Sequence, residues 1–382
     1  MILVFLQAEC TLMLKKISWL SWLIVVPLVA ALHCTRNGHD NQEPDNAVSL
    51  RDSVVLSGLS HPWEIKFDQE NFIWITERDG RVSRFNPQTG EHTVVLTIDE
   101  VESEGEGGLL GLALHPDWDI TPWVYLVYNY ESEDQYLEKL VRYRWQKESN
   151  TLTSPEILLE NIPAASIHNG SRLLILGRDL YMTTGDAADA SQAQDSSSLA
   201  GKILRLNLDG SIPADNPSPG KAYWTLGHRN AQGIVSYNNK LFISEHGPSS
   251  DDEINIIEKG RNYGWPVAEG YCDNADERDF CRKQNVKEPV KTWTPTIAPC
   301  GIDYYNSDRI PQWKNSLLLV ALKNQRLYQM KLNAGHDAIL TTNEYYTTKY
   351  GRLRDICIGP TGAVYIASSN GNDDKIIMID RQ

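Results

Sequence analysis

The sequence lacks the marks of several large enzyme classes. It has no G-x-G-x-x-G between a strand and a helix, no G-x-x-x-x-G-K-[ST], no G-x-S-x-G and no H-E-x-x-H. Nicotinamide enzymes of the βαβ kind, P-loop enzymes, α/β-hydrolases and zincins therefore lose support. Basic residues are outnumbered, 36 Lys and Arg against 50 Asp and Glu, which gives a net charge of −14. Such a balance repels polyanions and argues against a nucleic-acid partner. No stretch between 48 and 382 sustains a helical period over about twelve residues, so the body is read as strands. Phe is scarce, 6 residues, beside 17 Tyr and 11 Trp. Amphipathic aromatics in that excess suit half-buried strand positions and a polar, aromatic-lined cleft.

Cysteine is also sparse, with 6 in 382 residues. Cys272 and Cys281 share the polar segment GYCDNADERDFC, which is read as a loop closed by a local disulfide. A zinc site is the rival, but no C-x-x-C pair or nearby His accompanies them. Cys300 and Cys357 are expected to be buried thiols, since free Cys packs as a small hydrophobe.

Residues 1–34 read as an export signal or a membrane anchor. Lys15 and Lys16 precede the uncharged run ISWLSWLIVVPLVAAL, the order of an n-region and an h-region, and Met13 offers an alternative start. Cys34 follows and raises lipidation beside simple cleavage and an uncleaved anchor. All three place the body outside the cytoplasm, in a periplasm or at the outer cell surface. Residues 35–47, polar and rich in Asn and Pro, suit a flexible tether.

From 48 to 382 one pattern recurs: an apolar strand, a turn, a second apolar strand, then a third with charges interleaved. It begins as WEIKFDQENFIWITERDGRVSRFN and ends as LRDICIGPTGAVYIASSNGNDDKIIMID, with four copies between them. Units irregularly spaced at roughly fifty to seventy residues, with about four short strands each, mark a β-propeller. The fold is therefore expected to be all-β, a six-bladed propeller of four-stranded antiparallel blades. VSLRDSVVLSGL at 48–59 has no partners of its own and is assigned as the missing outer strand of the last blade. A large β-sandwich is the alternative.

In a propeller the loops of one face carry function. His168 in IHNGSR suits a general base, or is a packing histidine. Arg229 and Asn230 in GHRN suit a ligand carboxylate, or a structural ion pair. Gly247-Pro248 follow Glu245-His246 in a turn whose carbonyls suit Ca²⁺, or are an ordinary turn. Asp251, Asp252 and Glu253 are read as scaffold. Lys323, Arg352 and Arg354 occupy matching places in the last two copies and suit a polyanionic cofactor, or are solvated charges.

EGEGGLLGLALHPDW, HNGSRL, GKILRLNLDGSIPADNP, GHRNAQG, SEHGPSSDDEIN and NYGWP occur in this order. Together they resemble the soluble quinoprotein sugar dehydrogenases, the aldose/glucose and sorbosone dehydrogenase family, along the whole body. The resemblance implies a six-bladed propeller that binds pyrroloquinoline quinone (PQQ) and Ca²⁺ on its loop face. It implies His168 as the base that takes the proton of an aldose's anomeric hydroxyl while hydride passes to the quinone. Arg229 would act both in catalysis and, with Asn230, Lys323, Arg352 and Arg354, as the cofactor clamp. The carbonyls of Gly247 and Pro248 would hold the Ca²⁺, and Glu106 would lie beside the substrate. A second, structural Ca²⁺ would draw on Glu269, Tyr271, Asp273 and Glu288. Electrons would pass to a soluble or membrane acceptor. The sequence departs from the family pattern at Ile167, where many relatives carry an acidic residue or His, and at Ser171, which replaces the second glycine of H-x-G-G-R. Compact loops imply an open cleft and broad aldose use. Two other functions stay open: a Ca²⁺-dependent sugar-lactone hydrolase and a non-catalytic binding propeller.

Overall fold

The computed structural model describes residues 46–382. The expected signal or anchor at 1–34, Cys34 and most of the 35–47 tether lie outside the described residues. After β1 (Leu50–Ser60), the first blade is β2 (Pro62–Phe67), β3 (Ile73–Glu77), β4 (Arg81–Phe85) and β5 (His92–Thr97). The second is β6 (Leu109–Leu114), β7 (Trp123–Ser132), β8 (Gln135–Gln146) and β9 (Thr151–Pro163). The third is β10 (Gly170–Leu176), β11 (Asp179–Thr184), β12 (Lys202–Asn207) and β13 (Tyr223–Leu226). The fourth is β14 (Ala231–Tyr237), β15 (Lys240–Glu245), β16 (Asp252–Ile257) and β17 (Lys291–Trp293). The fifth is β18 (Pro299–Tyr305), β19 (Ser316–Ala321), β20 (Arg326–Leu332) and β21 (Ile339–Tyr345). The sixth is β22 (Leu353–Ile358), β23 (Val364–Ser368) and β24 (Asn372–Arg381).

Each blade is a four-stranded antiparallel sheet in chain order, and β1 completes the sixth by pairing with β24 from Leu50↔Arg381 to Ser60↔Asn372. The ring is thus closed by its two ends, as read from 48–59. Closure removes the open sheet edge that a linear array would expose. The first strands β2, β6, β10, β14, β18 and β22 lie against one another around the central channel.

The core is six separate clusters, one between each pair of neighbouring blades. Trp74, Leu112 and Trp145 join the first two blades, and Phe242, Leu319 and Tyr328 join the fourth and fifth. A blade is covered on both faces, so its middle strands are apolar without alternation. β19 is buried along its whole length as SLLLVA.

The Cys272–Cys281 disulfide is present, and Cys300 and Cys357 are buried free thiols. The segment between the paired cysteines is not merely a loop. It carries α1 (Ala275–Gln284), started by a reciprocal capping box between Asn274 and Glu277. That box satisfies backbone donors that an uncapped helix start leaves open.

Candidate active site on the loop face

His168 ends the connection that enters β10 and adopts φ 61. Its carbonyl packs against Gly185, where a Cβ would lie 1.7 Å from that oxygen, so only glycine fits. The next residue, Asp186, is buried. His168 Nδ1 donates to Asp186 Oδ1 at 2.8 Å. Asp186 also accepts from Ala188 N at 3.0 Å and from Trp265 Nε1 at 2.9 Å. A carboxylate on Nδ1 leaves Nε2 as the ring's acceptor. Ile167, where an orienting partner was expected from the family pattern, is instead 40% exposed. The ring is held by Asp186, at the other end of the same β10–β11 hairpin.

Glu106 faces His168 from the β5–β6 connection. Its Oε2 accepts from His168 N at 3.4 Å, and its own N donates to Ser166 O at 2.7 Å. Arg78 holds this connection, donating from Nε to Gly107 O at 2.9 Å and from its other arm to Gly105 O.

Arg229 lies over the Trp265 ring, 5.3 Å from its centre. Its Nη1 donates to Gly247 O at 3.1 Å and His246 O at 3.3 Å, while Glu245 accepts its backbone N–H. Glu245 is held in turn by His228 Nδ1 at 2.9 Å. Asn230 is buried, with Oδ1 accepting from Gly170 N at 3.1 Å. The turn at Gly247-Pro248 is pinned by Asp252, which accepts from Gly247 N at 2.8 Å and, across the loop, from Ala298 N at 2.8 Å. Glu253 accepts from Gly270 N at 2.8 Å and Asn255 Nδ2 at 2.7 Å. Asp252 and Glu253 thus hold loops through backbone N–H groups, and Asp252 also lines the site's cavity.

Glu106, His168, Arg229, Asn230, Gly247 and Pro248 line one open cavity of about 210 Å³, shared with His246 and Thr296. Burial pushes His246 down to about 4, so it is neutral, and its Nε2 donates to Pro299 O at 2.8 Å. Lys323 reaches the rim by donating to Thr296 Oγ1 at 2.7 Å. Arg354 is buried deeper, donating to Gln232 Oε1 at 2.6 Å, with Cys300 Sγ 3.6 Å away and that sulfur 3.9 Å from His246 Nε2. Arg352 is exposed and tied only through its backbone to Asn370. In the channel below, Arg172 pairs with Glu64 at 2.6 Å and Asp355 at 2.9 Å.

The four residues considered for a second Ca²⁺ lie on and beside the disulfide-closed segment. Glu269 lines a small cavity with Asp251 and Glu253, Glu288 accepts from Cys272 N at 2.9 Å, Asp273 N donates to Glu277, and Tyr271 is exposed. Among the described residues no group of three or more His, Cys, Asp or Glu is arranged around a metal position.

Asp186 and Arg78 were not singled out from the sequence. Asp186 closes the run TTGD at the end of β11, the same kind of strand-end signal that drew attention to His168.

A six-bladed propeller with a His–Asp pair, Arg229 and an acid around one loop-face cavity is a frame suited to chemistry on a small molecule. The chain belongs to the glucose/sorbosone dehydrogenase family, whose model matches residues 59–378. It is 32% identical to quinoprotein glucose dehydrogenase B of Acinetobacter calcoaceticus, over 84% of this chain and 86% of that one. It is 32% identical to the aldose sugar dehydrogenase YliI of Escherichia coli, over 85% and 91%. The PQQ-bound aldose sugar dehydrogenase of Streptomyces coelicolor superposes with a TM-score of 0.75 at 29% identity, over 87% of this chain and 99% of that one.

Proposed function

We propose that this protein oxidises the anomeric hydroxyl of aldoses to the lactone, using PQQ and Ca²⁺, outside the cytoplasm. The observation that carries the reading is the His168–Asp186 pair opening onto a cavity shared with Glu106, Arg229 and Asn230.

The residues fit the cofactor. Arg229 Nε, Asn230 Nδ2 and Arg354 Nε are buried without a partner. Unpaired buried donors are costly, and an acceptor-rich anion relieves that cost. Arg229, Asn230 and Arg354 would hold the quinone, with Lys323 at the rim. The carbonyls of Gly247 and Pro248 are hard oxygen donors suited to Ca²⁺. When bound, the pair supplies the hydride acceptor and the Lewis acid that polarises it. The chain's own share is proton transfer and position. His168 Nε2 accepts the anomeric hydroxyl proton, and Asp186 stabilises the resulting imidazolium and fixes the ring. Glu106 supplies an acceptor for a sugar hydroxyl beside the base. The open cavity favours broad aldose use, and the electrons leave to a soluble or membrane acceptor. The segment 1–34 supports a periplasmic site, with the tether 35–47 between it and the body.

The test is dye reduction by the purified chain with added PQQ, Ca²⁺ and a panel of aldoses, read with the absorbance of the quinone. Sugar-dependent bleaching of the quinone is expected; no spectral change and no turnover reject the reading. His168→Ala should keep quinone binding and lose about 10²–10⁴-fold in kcat. Full turnover would remove His168 as base.

A further inference from the structure

The second blade carries a buried carboxyl that the proposed chemistry does not use. Glu138 on β8 is 1% exposed. The groups facing it are Asn129 opposite on β7, Ile162 opposite on β9, Ser171 on β10, and the Tyr136 phenol on its own strand. Among the described residues no cation pairs with it.

Ser171 is fully buried and holds φ 73, a left-handed conformation that disfavours a side chain. Its hydroxyl lies 2.5 Å from Glu138 Oε2 and 3.1 Å from Asn169 O. A serine has one proton to donate, and here it meets two oxygens. A proton on Glu138 resolves the conflict. Glu138 then donates to Ser171 Oγ, and Ser171 donates to Asn169 O. Asn169 in turn braces the loop, accepting from Ala165 N at 3.1 Å and donating to Ala165 O at 2.9 Å. His168 sits inside that braced segment.

We propose that Glu138 is a positioning residue: as a protonated acid it donates to Ser171, and the chain Glu138–Ser171–Asn169 holds the His168 loop in place. This rests on the dehydrogenase reading for its catalytic consequence, though not for its protonation. Burial, with no cation nearby, pushes the Glu138 carboxyl from 4.5 up to about 8. The folded chain thus keeps a proton that the unfolded chain releases. Stability from this group is full below about 4.5 and is lost as pH rises through about 8.

The experiment compares wild type with Glu138→Gln, which mimics the protonated acid, by thermal unfolding of the cofactor-free chain from acid to alkaline pH. The variant should gain on wild type by several degrees as pH rises through the titration of Glu138. Parallel pH dependences overturn the proposal. With PQQ, Ca²⁺ and sugar, the alkaline fall of kcat should move to higher pH in the variant with KM unchanged; coincident limbs overturn the positioning role. If Glu138→Gln does not fold, Ser171→Ala breaks the chain at its middle. It should lower kcat several-fold at unchanged KM, and an unchanged kcat overturns the proposal. Absence of wild-type turnover would reject the dehydrogenase reading alone, since the unfolding comparison still decides the protonation of Glu138.

Discussion

Asp186 Oδ1 lies 2.8 Å from His168 Nδ1, although the two residues stand at opposite ends of the β10–β11 hairpin. The hairpin brings its two ends together, and Gly185 lets the backbones touch. Asp186 is therefore placed to set the tautomer of His168 and to stabilise its charged form. Trp265 fixes the carboxylate from the fourth blade's connection.

Replacing Asp186 by Asn keeps the size of the side chain but removes its charge. The amide can turn its N–H toward Nδ1 and hold the proton on Nε2, where a base needs a lone pair. In Asp186→Asn, kcat should fall by about 10²-fold or more while quinone binding, followed by absorbance, stays near wild type. A variant with wild-type kcat would show that Asp186 only packs.

Arg354 tests the proposed clamp from the opposite direction. It is buried, one of its donors is unpartnered, and burial together with the nearby Arg172 charge pulls its guanidinium below its usual range. Such a cation costs stability until an anion arrives. Arg354→Met should unfold at the same or a higher temperature than wild type when cofactor-free, and should lose the stabilisation that added PQQ gives wild type. A variant still stabilised by PQQ as strongly as wild type would take Arg354 out of the clamp. Arg352, exposed and held by its backbone, should affect binding much less.

The ring was legible in the sequence because each blade repeats one pattern and its buried strands are apolar on both faces. The closing strand was legible because 48–59 was a strand without a neighbour. His168, Arg229 and Asn230, which share the cavity, were legible because charged and amide residues stand where strands end, whereas Arg352, read with them, is exposed outside it. Asp186 was not, since its role depends on a hairpin folding its ends together, and periodicity carries no record of loop direction. Arg78 was missed for a similar reason: it acts on backbone carbonyls of Gly105 and Gly107, which any sequence provides. Helix α1 was hidden by its shortness and its lack of a buried residue, yet Asn274 followed by Glu277 was a readable start.

Lys202 ties the third blade to the loops that frame the site. It is fully buried and donates to three carbonyls, Gln192 O at 2.7 Å, Ala193 O at 3.2 Å and Ala200 O at 2.6 Å. Ala193 O also accepts from Gly227 N at 2.9 Å, next to the GHRN segment. Burial pulls the ammonium from 10.5 down to about 8. The unfolded chain then binds the proton more tightly, so this group's burden on stability is full below about 8 and eases as pH rises toward 10.5. Lys202→Met leaves the carbonyls without their donor and should destabilise the fold by about 2–4 kcal/mol near neutral pH. Its unfolding should lack the alkaline gain expected of wild type, so the deficit should widen between about pH 8 and 10. A deficit that is absent, or that shrinks over that window, would show that the ammonium does not hold these carbonyls.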